Sequence, residues 1–114
     1  MTLSTTTRGQ PVRGALPDTD ARALRSILQE HQRARTDQIE ALLWQYGDAG
    51  AAVGEAEARE LVVARLVLAD VDAALQRLDD GSYGWCVRCA GGIGVERLYA
   101  APRTLLCIGC ALEQ

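Results

Sequence analysis

The four cysteines of this chain form two Cys-x-x-Cys pairs, Cys86 with Cys89 and Cys107 with Cys110. Residues 90 to 106, seventeen in all, separate the pairs. This spacing is typical of a structural zinc site, because a tight turn directs both sulfurs of a pair at one ion and the loop returns the second pair. Four thiolates complete the tetrahedral shell of Zn²⁺ and leave no position for water. We therefore expect one structural Zn²⁺.

Other uses of paired thiols fit the sequence less well. A thioredoxin-like redox motif needs a βαβ context and usually occurs once, and the usual ferredoxin spacings differ from this one. Structural disulfides are rare in a reducing compartment. The start of the chain, "MTLSTTTRGQPVRGALPDTD", has no apolar core of a signal peptide, and no segment has the roughly 18 apolar residues of a membrane span. We expect a cytoplasmic protein.

Composition narrows the function classes. The 114 residues suit one domain, and the net charge of −3 with a pI near 5.1 disfavours a general nucleic-acid binder. No basic recognition helix is evident, so direct sequence-specific DNA binding is not expected. There is no nucleophile–base pair, no phosphate-binding loop and no open metal site, so the sequence does not predict an enzyme.

Two long helices are predicted upstream of the cysteines. Residues 1–17 show no hydrophobic period and are expected to form a flexible tail. The acids of "PDTD" suit a helix N-terminus. The apolar stripe of the first helix consists of Leu24, Leu28, Ile39, Leu42 and Tyr46, with His31 and Arg35 on the same stripe.

The second helix has a clearer period and ends at Gly81, the expected C′ residue. Its apolar positions alternate by three and four residues, as in a coiled coil, at Leu61, Ala64, Leu68, Val71, Leu75 and Leu78. The neighbouring Val62, Val63, Leu66 and Val67 widen this apolar face beyond a two-helix seam. Whether the N-terminal tail, the cysteine module or a second copy covers that width stays open.

The short connection "GDAGAAVG" makes the two helices antiparallel neighbours. The predicted fold is mostly α: a long antiparallel helical hairpin, or coiled coil, with a C-terminal four-cysteine zinc-finger module. We divide the chain into a tail (1–17), the hairpin (18–81, with its tip loop around 47–54) and the module (82–114).

Several individual side chains are expected to pack the cysteine module against the hairpin. Tyr83 and Trp85 are expected to pack the module onto the hairpin base, with Tyr99 a weaker candidate. His31, the single histidine, is expected to be an interface or partly buried residue because four cysteines already complete the zinc shell.

Three segments carry a family resemblance. "GSYGWCVRC", "IGVERLYAAP" and "LCIGC", preceded by a long helix that ends in "LDDG", resemble the DksA/TraR family of bacterial transcription regulators over roughly residues 20 to 112. The resemblance implies direct binding to RNA polymerase, with the hairpin in the secondary channel and its tip near the active site. It also implies that the zinc module fixes the hairpin base and docks on the channel rim.

The chain departs from the family at two places. The family's tip carries Asp-x-x-Asp-x-Ala, whereas this tip reads "YGDAGAAVG", with Asp48 alone and Ala51 at the second Asp position. The positions that hold guanosine tetraphosphate in the family fall on Asp70, Ala101 and Ala111, none of which is cationic. Because a polyanion needs charge-assisted donors, we expect that nucleotide not to bind in the DksA manner.

Candidate partner-binding residues follow from this resemblance. At the tip they are Asp48, although a lone Asp between glycines is more often a turn or helix-cap residue, and Trp44, a residue type enriched at binding hot spots. Around the cysteines they are Arg88, Arg97 and Arg103, for which thiolate stabilisation, partner contact and solvated surface all stay open. The alternative function is a zinc-ribbon adaptor or regulator that binds another protein and never acts at the polymerase active site. The sequence specifies neither target promoters, nor activation versus inhibition, nor oligomeric state.

Overall fold

Two long helices and two short ones make up the fold. The structure is a computed structural model that describes residues 16–46 and 54–113. The helices are α1 (Asp18–Tyr46), α2 (Glu55–Asp80), α3 (Val95–Ala100) and α4 (Ile108–Leu112). Within these ranges the only β feature is an isolated antiparallel bridge between Trp85 and Gly92. The predicted fold class is confirmed, while Gly47, Asp48 and the rest of residues 47–53 lie outside the described part.

Three side-chain contacts show that α1 and α2 are antiparallel. Residue numbers fall along α2 as they rise along α1, which only an antiparallel pair allows. The contacts are Arg25 with Asp79 at 2.9 Å, Gln32 with Asp72 at 2.8 Å and Gln38 with Glu60 at 3.0 Å.

The end of α2 follows from one glycine. Gly81 adopts φ 85°, in the left-handed region, and its N–H donates to the carbonyl of Arg77. The N–H groups of Ser82 and Tyr83 reach the same carbonyl at 3.0 and 3.1 Å. This is the expected glycine C′ residue, which satisfies the last helical carbonyls and turns the chain towards the first cysteine pair.

The predicted seam lies between the two long helices. Leu24, Leu28 and Leu42 are buried on α1, and Ala64, Val71 and Ala74 are buried on α2. The other predicted seam positions of α2 are partly buried: Leu61, Leu68, Leu75 and Leu78. The alternating spacing of three and four residues therefore identified the face of α2 that meets α1.

Most of the core lies at the open end of the hairpin. Five residues of the cysteine module join the buried seam residues of the hairpin base in one cluster: Tyr83, Cys86, Ile93, Leu98 and Cys110. Towards the tip, the buried residues in the described ranges are Leu42 and Ala64 alone. The base is therefore a packed core and the distal half is a slender helix pair.

The molecule is elongated, with extents of 66 × 30 × 20 Å. At 1.5 Å per residue, α1 and α2 are about 43 and 39 Å long. Along the described helices no stretch is long and apolar enough to cross a lipid bilayer.

Candidate metal centre and hairpin tip

The structure brings the four cysteines together. Their sulfur atoms all lie within 4.8 Å of one another, and all four are free thiols. The Cys89 and Cys107 sulfurs are 3.9 Å apart. With a Zn–S bond of about 2.3 Å, the edge of a tetrahedral four-sulfur site is about 3.8 Å. The cluster is positioned to bind one metal ion, and its soft, four-thiol donor set fits Zn²⁺.

The first pair sits on a tight turn. The N–H of Ala90 donates to the Cys86 carbonyl at 2.9 Å, and the N–H of Cys86 donates to the Gly91 carbonyl at 2.7 Å. The Gly91 N–H also points at the Cys89 sulfur, 3.4 Å away. Ala90 has φ 65°, a left-handed conformation that is unusual for a residue with a Cβ. This turn gives both sulfurs the same direction, as the two-residue spacing predicted.

The second pair begins a helix. Cys107 is the N-cap of α4, and its sulfur accepts the N–H of Cys110 at 3.4 Å. The N–H of Val87, inside the first pair, donates to the Leu105 carbonyl at 2.9 Å. The two turns are therefore joined directly through the backbone, independently of any metal.

Backbone dipoles and neighbouring sulfurs set the thiol acidities. The N–H groups of Cys107, Cys89 and Arg88 face the Cys86 sulfur and lower the pKa of that thiol to about 6, against the opposing effect of its burial. The adjacent Cys107 sulfur, together with burial, raises the pKa of Cys110 to about 12. One thiolate thus forms readily, whereas a cluster of four needs a cation to balance its charge, so metal binding releases protons.

The three candidate arginines all contact their own chain. Arg97 donates from Nε to the Leu106 carbonyl at 2.9 Å and from Nη2 to Thr104 Oγ1 at 3.3 Å, which fixes the segment before Cys107. Arg88 reaches the Cys110 carbonyl at 3.4 Å and Glu113 at 3.8 Å.

Arg103 leaves the module and forms an ion pair with Asp70 of α2 at 3.1 Å. It therefore connects the loop after α3 to the hairpin. In all of these contacts the arginine partner is an oxygen atom and not a cysteine sulfur.

Tyrosines attach the module to the hairpin. Tyr83 is 6% exposed, and its hydroxyl donates to the Pro102 carbonyl at 2.8 Å. Burial raises the pKa of Tyr83 to about 12. The Tyr99 hydroxyl donates to Asp20 Oδ1 at 2.7 Å, which joins α3 to the first turn of α1. Trp85 is half-buried, and its carbonyl accepts Arg77 Nη2 at 2.8 Å.

Arg77 was missed by sequence reasoning. Its Nη2 group donates to the carbonyls of both Ser82 and Trp85, so it holds the chain that enters the first cysteine turn. A cation in the last turn of a helix was a usable signal, because it commonly bonds nearby carbonyls.

Of the two expectations for His31, partial burial is wrong, and a role at an interface stays a prediction. His31 is exposed and lines a groove with Asp70 and the loop 100–104. Gln32 and Arg35 are the partly buried residues there, because the interhelical contacts move to Gln32 after Leu28. Of the positions compared with the nucleotide site, Asp70 and Ala101 line this groove, whereas Ala111 is not among its lining residues.

The tip end of α1 is exposed. Trp44 is 91% exposed and Leu43 is 43% exposed. A tryptophan this accessible, two residues before the end of the described helix, is available to a partner. The other tip candidate, Asp48, lies outside the described residues.

No family model matches the chain. Three curated proteins align over 46 residues, or 40% of this chain. They are an RNA polymerase-binding transcription factor DksA of Haemophilus influenzae (39% identity), the protein of that name in Escherichia coli K12 (35%), and an uncharacterised protein of Aquifex aeolicus (44%). The aligned segment spans about a third of these relatives, between 30% and 32% of their length.

A solved structure extends the likeness to nearly the whole chain. The structure of transcription factor DksA2 from Pseudomonas aeruginosa superposes with a TM-score of 0.76 and is 26% identical. The match covers 89% of this chain and 87% of that one. The similarity therefore includes the hairpin as well as the cysteine module.

Proposed function

Because this chain is a DksA-like protein, we propose that it is a bacterial transcription regulator that binds RNA polymerase with its hairpin in the secondary channel. In this proposal the cysteine cluster holds one structural Zn²⁺, the role is regulatory rather than enzymatic, and the protein works in the cytoplasm. The observation that carries the proposal is the division of the molecule into a packed, cysteine-fixed base and a slender distal hairpin.

The distal hairpin has the dimensions of a probe. The ion pair of Asp70 with Arg103 is a contact of the module on α2, and Glu55 begins that helix. The 15 helical rises from Glu55 to Asp70 project about 22 Å as a two-helix rod. Each helix of this rod is about 10–12 Å across with its side chains, so the distal pair is slender enough to enter a channel.

The tip and the rim carry different contacts in this proposal. Trp44 supplies an accessible apolar anchor near the tip, and Asp48 remains a candidate acid beside the polymerase active site. Arg88 and Arg103 keep half-exposed side chains, 51% and 40%, with which to reach the channel rim. Arg97 is used within the module, where it positions the second cysteine pair.

We also propose that guanosine tetraphosphate is not bound in the DksA manner. The groove beside Ala101 presents the Asp70 carboxylate, and its one guanidinium, Arg103, already pairs with that acid. To reach Arg103, the nucleotide's phosphates would have to break its ion pair with Asp70. They would then lie next to the negative charge of the Asp70 carboxylate. Measuring nucleotide binding to the complex of polymerase and this protein tests the point, and a low-micromolar site at this interface would refute it.

Site-specific crosslinking tests the channel proposal. A photoreactive amino acid replaces Trp44 at the tip or, as the matched control, Glu96 on the module, and each zinc-loaded protein is mixed with core RNA polymerase. Position 44 is expected to crosslink to residues that line the secondary channel, and position 96 to the outer rim or to nothing. Removal of residues 47–54 is expected to abolish the position 44 crosslink.

A second candidate function is an adaptor that binds a different protein. It is favoured by exposed apolar side chains on the module, Val87 at 60%, Ile108 at 59% and Leu112 at 79%. It is also favoured by the missing second acid of the tip. Co-purification that recovers this protein without polymerase subunits, together with no crosslink from position 44 to core polymerase, would support the adaptor and reject the channel proposal.

A further inference from the structure

The surface of α2 that faces away from α1 carries an apolar stripe. We call it the outer α2 stripe, and its members are Ala58, Val62, Leu66, Ala69 and Ala73, all exposed. Val62 and Leu66 are 56% and 61% exposed. From Val62 onward the stripe advances by four, three and four residues, which is the period of a coiled-coil seam.

This stripe is separate from the seam with α1. Successive helix residues turn by about 100°, which places Leu66 and Ala69 on the side opposite the buried Ala64 and Val71. Nothing in ranges 16–46 and 54–113 covers Val62 or Leu66. Positions on the outside of a two-helix coil are ordinarily polar, so this second apolar period calls for a second helix.

We propose that the outer α2 stripe pairs two copies of this chain, with their α2 helices antiparallel about a twofold axis near residues 67 and 68. The inference goes beyond the polymerase proposal and does not depend on it. The dimer would cover the part of α2 that enters the channel in that proposal, so a paired copy would have to dissociate before it inserts. Each copy contributes the same surface, as a twofold interface requires.

Side-chain sizes favour the antiparallel arrangement. It places Val62 against Ala73 of the second copy and Leu66 against Ala69, so each layer joins a larger residue to a smaller one and the helix spacing stays even. A parallel pair instead stacks Leu66 on itself and Ala69 on itself, which leaves gaps at the alanines. Because packed interiors tolerate few voids, the mixed layers are more favourable.

Charges flanking the stripe are complementary in the same register. Arg65 and Asp72 lie one heptad apart on one flank of the stripe, and the antiparallel pairing brings Arg65 opposite Asp72 of the second copy twice. Arg65 forms no ion pair within the described residues, and the exposed Asp72 carboxylate bonds only the neutral Gln32 amide there. Opposite charges at flanking positions select partner and orientation in coiled coils. In a parallel pair, Arg59 would lie opposite Arg59 of the second copy and repel it. The antiparallel register separates these two like charges.

The interface is short, so the dimer is expected to be weak. The stripe spans 16 residues from Ala58 to Ala73, which rise by about 22 Å along the helix. A patch of this size lies below the roughly 1,200 Å² of a stable interface. We expect monomer in dilute solution and dimer at protein concentrations of about 100 µM and above.

Sedimentation equilibrium of the zinc-loaded, fully reduced chain tests the proposal over about 5 to 500 µM. The wild type is expected to show a monomer–dimer equilibrium, and Leu66→Glu to weaken association by about tenfold or more. Leu43→Glu, a change at an exposed leucine away from the stripe, is the matched control and should leave association unchanged. Helical content by circular dichroism confirms that each variant is folded.

Charge exchange tests the register. Arg65→Asp and Asp72→Arg should each weaken the dimer, and the double variant should restore most of the lost affinity because both pairs are re-formed. A wild type that stays monomeric at every concentration overturns the proposal. So does a dimer that tolerates Leu66→Glu, or a charge exchange without rescue. If another part of the same chain covers the stripe, Leu66→Glu will instead lower the melting temperature of a monomer, which also overturns it.

Discussion

Removing one exposed zinc ligand should unfold more of this protein than the cysteine module itself. Cys89 is exposed, so Cys89→Ser removes a thiolate without opening a buried cavity. A structural zinc site contributes about 10–16 kcal/mol, so one of four ligands accounts for roughly 3–4 kcal/mol, or two to three orders of magnitude in zinc affinity. The variant is therefore expected to lose its metal to a competing chelator that leaves the wild type loaded.

The extent of unfolding follows from the shared core. The ligands Cys86 and Cys110 lie in one cluster with Leu24, Leu28 and Val71 of the hairpin base. When the module unfolds, these side chains become exposed to water, and each loses up to about 1.5–3 kcal/mol of stabilisation from burial. The distal pair retains too few buried residues to compensate, so the loss of order should continue into α1 and α2.

Circular dichroism distinguishes local from extended unfolding. The helices α3 and α4 contain 6 and 5 residues, against 29 and 26 in α1 and α2. Loss of the module alone removes about one sixth of the helical signal, and loss of the base removes clearly more. Val87→Ser, between the first pair of cysteines but not a ligand, is the matched control and should keep both metal and helix. A zinc-free protein that loses only one sixth of its helicity would refute the shared-core reasoning.

Three further predictions use denaturant or thermal unfolding of the zinc-loaded chain. Gly81→Ala should lower stability by about 1 kcal/mol because Gly81 has φ 85° with open space at its Cβ position, whereas Gly109→Ala inside α4 should not be destabilising. Leu28→Ala should cost about 2–5 kcal/mol, against about 0.5 kcal/mol or less for the exposed Val87→Ala. Tyr83→Phe should cost about 1 kcal/mol through its bond to Pro102. In the wild type, the stabilising effect of the neutral Tyr83 phenol is complete below pH 10. It is lost as the pH rises from the ordinary pKa of 10 towards the raised pKa of about 12. If wild type and Tyr83→Phe show the same dependence of stability on pH between 10 and 12, this prediction is wrong.

The parts of the fold that depend on local pattern were predictable from the sequence. The alternating spacing of Leu61, Ala64 and Leu68 identified the buried face of α2, and Gly81 identified its end, because both depend on residues near in sequence. The two Cys-x-x-Cys pairs likewise predicted a four-sulfur cluster, since metal ligation fixes which side chains must meet regardless of the path between them.

The parts that depend on the path of the loops were not predictable. His31 falls on the helical stripe by spacing, yet the groove beside the loop 100–104 leaves it exposed. Arg77 and Arg97 donate to backbone carbonyls whose directions depend on how the chain turns after α2 and α3. A period locates a face, but it does not specify which loop lies against that face or which carbonyl an arginine reaches.

The distribution of buried residues indicates what the metal would do for the hairpin. Isolated helix pairs depend on an apolar face for stability, and beyond Val71 and Leu28 this pair buries only Leu42 and Ala64 in the described ranges. The base must therefore hold α1 and α2 in register for the distal half. Ligands of the proposed zinc are themselves part of that base core. The metal would thus stabilise the rod from one end, and the accessible Trp44 lies at the other end, where the hairpin can adapt to a partner without disturbing the site that holds it together.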